Sequence, residues 1–416
     1  MSVPAPLICL IAPGHVASTP RLVKNADALA AAGYRVHVIA GRHYPPVDPL
    51  DAEIFATAPW THQRVDYGHG AGVLVRKLLR HIARRLVQCP SFASATMAAR
   101  AHQAEIRRLV AAAAHAPAQF YFGHCLAGLP AAAFAAQARR VPYGFDAEDF
   151  HDAETENAAS DPAESGARRL LQSRLLPGCA LFTAASPLIA QSYERAYGIK
   201  PQVLLNVFPR QDAPAAPVQP GPITADRPAR VYWFSQTVGP GRGLEAVVAI
   251  LGRMSTPVEL HLRGLVTPGY RTDLSRRAAA GGMARPIRFL DSGPPAEMVR
   301  LAAGADLGLS TEESRPLNRD LCLTNKIFVY LLAGIPQLLS TTTAQRALAP
   351  ELGPAALLAG LGEPAPAAAV LDAFLTSPAR VAEARRTAWE LAQRRFNWDV
   401  EKAGLLEAVR GIIGPP

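Results

Sequence analysis

Residues 239–245, GPGRGLE, fall between a strand pattern and a helix pattern. Gly239, Gly241 and Gly243 let backbone N–H groups approach a ligand closely, and a helix start carries about half a positive charge. Arg242 adds a planar, bidentate donor, so the stretch suits a phosphate or diphosphate. It is neither a P-loop, which ends in G-K-[ST], nor a G-x-G-x-x-G fingerprint. A tight structural turn would use the same glycines. A second anion site is legible in STEESRPLNRDLCLTNKIFVYLLAGIP, 310–336, where a polar half meets an apolar helix. Asn325 can cap that helix, but Lys326 in its first turn opposes the helix dipole. A phosphate shared between Lys326 and the helix amides removes the conflict. Glu312 and Asn318 lie upstream, just past the strand pattern ADLGLS. A carboxylate there can take sugar hydroxyls, and a solvated acidic loop is the plain alternative.

Three more stretches carry chemistry. GHVASTPRLVKN places His15, Ser18, Thr19 and Arg21 after the first strand pattern. GFDAEDFHDAE packs Asp146, Glu148, Asp149, His151, Asp152 and Glu154 into nine residues. Neither two His at helical spacing nor a D-x-D pair occurs there, so a general base or hydroxyl-binding role is expected and no metal. VLVRKLLRHIARRLVQ, 73–88, reads as a helix with an apolar stripe at Leu74, Leu78, Ile82 and Leu86. Arg76, Lys77, Arg80, Arg84 and Arg85 form the opposite flank, which is expected to meet an anionic membrane surface; a packed helix with a basic solvated face is the alternative.

These loops need a scaffold that gathers them. LICLIA, RLVKNADALAAAGY and RVHVIAG read as strand, helix and strand, the βαβ unit of a parallel sheet. AQFYFGH, VPYGFDAED, CALFTAAS and PQVLLNVFP continue the pattern. Residues 210–229, RQDAPAAPVQPGPITADRPA, lack periodicity and read as a linker. RVYWFSQ, VELHLRG, PIRFLDS and ADLGLST then repeat the strand rhythm. The expected architecture is α/β, with two Rossmann-like parallel sheets facing across a cleft. Its parts are residues 1–209, a linker at 210–229, residues 230–380, and a C-terminal helix 381–416 crossing back to the first domain.

Composition sets the outer limits. A chain of 416 residues with 49% hydrophobic content is too long for one core and too apolar for disorder. Its 43 basic and 34 acidic residues, net +9, favour anionic partners. The five cysteines form no C-x-x-C pair, which points to a reducing cytosol and against zinc. The first apolar run is too short for a signal segment, and no stretch of ~18 apolar residues occurs.

Taken in order, the five stretches resemble the GT-B glycosyltransferases of the large retaining group called group 1, or family 4. GHVASTPRLVKNADALAAAGYRVHVI looks like its first βαβ unit, and FDAED like its acceptor-side stretch, with Glu148 where a His is common. LLNVFP is similar to the segment before its linker, NKIFVYLLAGIP to its donor helix, and FNWDVEK to its terminal helix. The resemblance implies sugar transfer from a nucleotide-diphosphate donor to a glycan or lipid-linked acceptor, with retention, in bacterial-type polysaccharide or glycoconjugate assembly. It implies catalytic roles for His15, Glu148 and Glu312. The donor diphosphate falls to Gly239, Gly241, Arg242, Gly243, Asn318, Asn325 and Lys326. Ser18, Thr19, Arg21, Asp149 and His151 lie on the acceptor side. No cofactor, metal or nucleic acid is expected; the setting is the cytoplasm, at the inner face of a membrane.

Two departures qualify the resemblance. Val329 stands where the family commonly has a ribose-binding Glu, and Thr237 where it has a diphosphate-binding Arg. A catalytically silent binding or scaffold protein of this fold is therefore an alternative, as is a nucleotide-sugar epimerase.

Overall fold

The computed structural model describes residues 4–68, 71–154, 161–219, 221–294 and 297–416. The chain forms two compact units, residues 1–204 with 402–416, and residues 205–401. In the first, seven strands make one parallel sheet: β1 (Leu7–Ala12), β2 (Arg35–Arg42), β3 (Thr61–Asp66), β4 (Phe120–His124), β5 (Tyr143–Ala147), β6 (Leu181–Ala184) and β7 (Gln202–Val203). Their spatial order is β3-β2-β1-β4-β5-β6-β7. The continuous apolar run of β1 is buried along its whole length, as a parallel strand covered on both faces must be. The first crossover helix, Pro20–Ala31, buries Leu22, Ala26 and Leu29 of the apolar stripe Leu22, Ala26, Leu29 and Ala30 that its sequence spacing predicts, with Ala30 half-buried.

The second unit holds a six-stranded parallel sheet: β8 (Ala229–Val238), β9 (Val258–Val266), β10 (Arg288–Leu290), β11 (Leu307–Ser310), β12 (Gln337–Leu339) and β13 (Ala356–Leu358), ordered β10-β9-β8-β11-β12-β13. Val231, Trp233, Leu260, Leu262, Leu307 and Leu309 are buried in one core with Val247, Val248 and Leu251 of the helix Leu244–Leu251. The sequence rhythm anticipates ten of these thirteen strands. The other three, β3, β12 and β13, are either polar (THQRVD) or only three residues long, and carry little alternation to detect.

Two expected boundaries differ. The Pro-rich stretch after 210 belongs to the second unit and is tied to its surface rather than running free. Pro214 O accepts a hydrogen bond from Trp389 Nε1 at 3.0 Å, and Val218 O accepts one from Arg385 at 2.9 Å. The terminal helical region divides into Pro378–Arg394 and Trp398–Ile413, and only residues from Lys402 onward belong to the first unit.

Candidate functional site

Each sheet reverses its strand order once, between β1 and β4 in the first and between β8 and β11 in the second. Ligands of open α/β sheets bind at the carboxyl ends of the strands beside such a reversal.

In the first unit that position is organised around Asp146, fully buried at the end of β5. Arg21 grips it with two hydrogen bonds, Nε to Oδ2 at 2.8 Å and Nη2 to Oδ1 at 2.6 Å, and Thr183 donates to Oδ1 at 2.5 Å. His124 Nδ1 lies 3.2 Å from Asp146 Oδ2 and 3.9 Å from Glu148 Oε1. Burial alone would raise the Asp146 pKa, but Arg21 and His124 hold it well below the usual carboxylate range. Glu148, with 21% of its side chain exposed, goes the other way. Lost hydration and the Asp146 charge push its carboxyl up to about 8. One carboxylate is thus fixed as an anion, and its neighbour keeps a proton at neutral pH. Cys125 lies beside them, its Sγ 4.0 Å from Glu148 Oε1. Its backbone is left-handed, with φ 54°, an unusual state for a side-chain-bearing residue. Burial, then the surrounding carboxylates, push its thiol up, so it is no ready nucleophile.

His15 is 1% exposed and committed to the fold. Its Nδ1 is 2.7 Å from Asp51 Oδ2, and its Nε2 accepts from the Tyr44 and His43 N–H groups at 3.0 and 3.3 Å. Neither nitrogen is left for a substrate proton, so the structure places His15 as a loop anchor. Thr19 is buried with Oγ1 donating to His15 O, and Ser18 is exposed. Asp149 is half-buried, and its carbonyl accepts from Tyr193.

His151 and Cys125 line a cavity of about 480 Å³ with His43, Tyr67, His102 and Glu154. His151 Nδ1 meets Glu154 at 2.6 Å, while its buried Nε2 has no protein partner among the described residues. Burial alone would lower the His151 pKa; Glu154 outweighs it and raises it. Two groups, His15–Asp48–Asp51 and His124–Asp146–Glu148, bring ligand atoms within 4.8 Å of one another. Arginines already occupy their carboxylates, Arg42 and Arg64 on Asp48 and Arg21 on Asp146, which suits ion pairing better than a divalent cation.

The second unit gathers its site residues more tightly. Gly241 and Gly243 have φ of 70° and 71°, the left-handed region that favours glycine, and Gly243 opens the helix Leu244–Leu251. A Cβ on Gly243 would sit 2.9 Å from Leu361 and 3.7 Å from Thr311. Arg319 donates to Gly241 O and ties the loop to the short helix Leu317–Leu321, which also carries the buried Asn318. Arg242 is half-buried and makes no hydrogen bond or ion pair with the described residues. Thr311 Oγ1, Thr324 Oγ1 and Trp233 Nε1 are buried without a protein partner among them.

Lys326 Nζ lies 2.6 Å from Glu312 Oε1, both side chains nearly fully buried, and 5.3 Å from the Trp233 ring centre. This pair answers the charge conflict at the helix Asn325–Leu332 within the protein, because Glu312 neutralises the lysine. Two of its three N–H donors remain for other partners. Asn325 does not cap: Thr324 holds the cap position, and Asn325 Oδ1 accepts from Asn206 Nδ2 at 2.6 Å. Val329 is fully buried on the same helix.

The helix Ala71–Leu86 is turned over relative to its sequence reading. Arg76 pairs with Glu105, Arg80 with Glu164 and Arg84 with Asp161, while Leu74, Leu78 and Ile82 are exposed. Arg76, Arg80 and Arg84 are therefore not free membrane contacts; Lys77 and Arg85 stay exposed.

With this geometry the chain is similar to solved glycosyltransferases. Against Anabaena HepE in complex with UDP-glucose the TM-score is 0.71 at 15% identity, covering 98% of this chain and 100% of that one. Against sucrose-phosphate synthase from Thermosynechococcus elongatus it is 0.70 at 14% identity, covering 98% of each. The lipopolysaccharide outer core galactosyltransferase WaaB gives 0.63 at 10% identity, covering 97% of this chain and 99% of that one. The fold is GT-B. No family model matches the chain, and no curated protein matches it in sequence. The GT-B likeness is one of fold, so the chemistry is argued from the side chains. His124, Cys125, Thr311 and Arg319 are site residues that sequence reasoning missed. His124 ends the pattern AQFYFGH, and its position at a strand end was the available signal.

Proposed function

We propose that this protein transfers a sugar from a nucleoside-diphosphate donor to a glycan or lipid-linked acceptor, with retention and without a metal or other cofactor. Its setting is polysaccharide or glycoconjugate assembly at the cytoplasmic face of a membrane. The observation that carries the reading is Arg242. Its guanidinium has no partner among the described residues and sits on a left-handed glycine loop beside the β8/β11 reversal, where the neighbouring Gly243 approaches Thr311, whose hydroxyl also has no partner among them. A diphosphate would take Arg242, the loop amides and the spare donors of Lys326, with Asn318 and Asn325 at its edge. Stabilising that leaving group is the largest catalytic contribution such a site offers. Glu312 orients Lys326 and is near enough to its charge to share a sugar hydroxyl. In the first unit, protonated Glu148 can donate to an acceptor hydroxyl, with His151 and Asp149 beside it.

HepE and UDP make UDP the first probe. Calorimetric titration with a panel of nucleoside diphosphates should give at least one ligand, with the bare nucleoside binding far more weakly. NMR of the transfer product should then show the donor's anomeric configuration. Failure of every diphosphate to bind would overturn the reading. A silent, binding-only member is favoured by one observation, the fully buried apolar Val329; diphosphate binding without donor turnover would support it.

A further inference from the structure

We infer that the outward face of the helix Ala71–Leu86 lies in the surface of an anionic lipid bilayer, with its apolar side chains inserted. This deepens the membrane setting proposed above, and replaces a contact through arginines by one through leucines. Leu74, Val75, Leu78, Leu79 and Ile82 are 68%, 55%, 59%, 53% and 43% exposed. At helical spacing, Leu74, Leu78 and Ile82 form one row and Val75 and Leu79 the row beside it, so the five make one continuous face. Single exposed apolar residues are ordinary; a contiguous face of this kind marks an interaction surface.

The helix cannot roll that face inward. Arg76 is held by Glu105 at 2.6 Å and by the Tyr67 carbonyl at 2.7 Å. Arg80 is held by Glu164 at 3.2 Å and the Ala101 carbonyl at 3.1 Å, and Arg84 by Asp161. Ala83 and Val87 supply the small buried contacts on that inner side. Three charged side chains thus point into the protein while five apolar ones point out, the reverse of a packed surface helix.

Charge selects the occupant. Lys77, His81 and Arg85 are exposed and follow one another at i+4 along one edge of the apolar face. No acidic residue occurs between 71 and 88. A second copy of the same helix would bring like charges together, whereas anionic headgroups complement them. An apolar face with a basic rim is the arrangement of a helix lying in the plane of a membrane interface. The inner arginines also reach the walls of the cavity beside it: Glu105, Tyr67 and His102 line that cavity, and Glu164, the partner of Arg80, meets His102 Nδ1 at 2.6 Å.

The test is flotation of the full chain with phosphatidylcholine vesicles, with and without phosphatidylglycerol. Wild type should float with the anionic vesicles, and a Leu78→Trp variant should show blue-shifted emission on binding. Combining Leu74→Gln, Leu78→Gln and Ile82→Gln should weaken binding by about ten-fold or more with an unchanged melt, since these side chains are exposed. Lys77→Gln with Arg85→Gln should remove the preference for anionic lipid. Raised salt should leave residual wild-type binding, because screening does not touch the apolar part. No wild-type flotation, or flotation that the triple variant keeps and salt abolishes, overturns the inference. So does a lipid-free dimer in sedimentation velocity that the triple variant dissolves, which would assign the face to a second copy. Diphosphate titration of the same variants should match wild type. Loss of that binding in wild type would strike the transferase reading and leave this inference standing.

Discussion

The two strand-order reversals of this molecule treat charge in opposite ways. Beside β1 and β4 the carboxylates are paired inside the protein, Asp146 with Arg21, Asp51 with His15 and Glu154 with His151, and the buried imidazole nitrogens His124 Nε2 and His151 Nε2 have no partner among the described residues. Beside β8 and β11, Lys326 is paired, yet Arg242, Thr311 and Trp233 present donors with no partner among the described residues. The first arrangement positions a proton and neutral hydroxyl-binding groups. The second is short of negative charge and suits an anionic ligand. The same strand order, three strands on one side of the reversal and the rest on the other, therefore carries two different sets of side chains, one with its charges paired and one with a free guanidinium among the described residues.

The comparison can be broken first at its most self-contained point. Arg21→Ala leaves Asp146 charged and buried with only His124 and Thr183, and should cost about 3–5 kcal/mol of stability in chemical denaturation. A loss within experimental error would mean Asp146 is hydrated and the first site is not closed as described. Next in size is Val329→Glu. The side chain it replaces is fully buried, so a carboxylate there should lower stability by about 3 kcal/mol. An intact melt with tighter diphosphate binding would instead place position 329 against the donor ribose.

A smaller and cleaner effect is expected at Arg242. Because it has no partner among the described residues, Arg242→Ala should leave the melting curve alone while weakening diphosphate affinity by about 1.5–3 kcal/mol. Lys326→Ala sharpens the contrast, since it strands buried Glu312 and should reduce both binding and stability. Equal affinity losses for nucleoside and diphosphate would remove both residues from the phosphate site.

A fourth expectation is a pH dependence. Folded Glu148 keeps its proton up to about 8, above its ordinary value of 4.5. Between those values the unfolded chain loses the proton more readily, so this carboxyl's favourable contribution, full below 4.5, fades as pH rises through 8. Glu148→Gln should match wild type at acid pH and become the more stable of the two as pH rises toward 8. A gap that is constant across pH would show Glu148 ionised throughout.

How much of this could be read from the chain depends on the range of the interaction. Strand runs such as LICLIA and the glycine loop at 239–243 are local patterns, and both were legible. Pairings were not. Nothing near Arg76 in sequence announces Glu105, and nothing near Arg80 or Arg84 announces Glu164 and Asp161, so amphipathic periodicity alone turns the whole basic flank outward to a membrane. Lys326 was read against a ligand because its partner, fourteen residues away across a strand end, could not be inferred. His124 went unremarked because strand order, which puts β4 beside β1, is not written in any local stretch.

The first unit's last segment has a bearing on how the protein is made. Residues 402–416 belong with residues 1–204, and the Gly414 carbonyl accepts a hydrogen bond from Tyr34 at 2.7 Å, 380 positions earlier. During synthesis, the first sheet must wait for the whole second unit to emerge before its final helix is available. Until then the surface that this helix covers is open to water and to neighbouring chains. The second unit is continuous and under no such constraint, so it can finish folding before the first has closed. A nascent chain halted before residue 402 is thus the species in which a chaperone would have the most to shield.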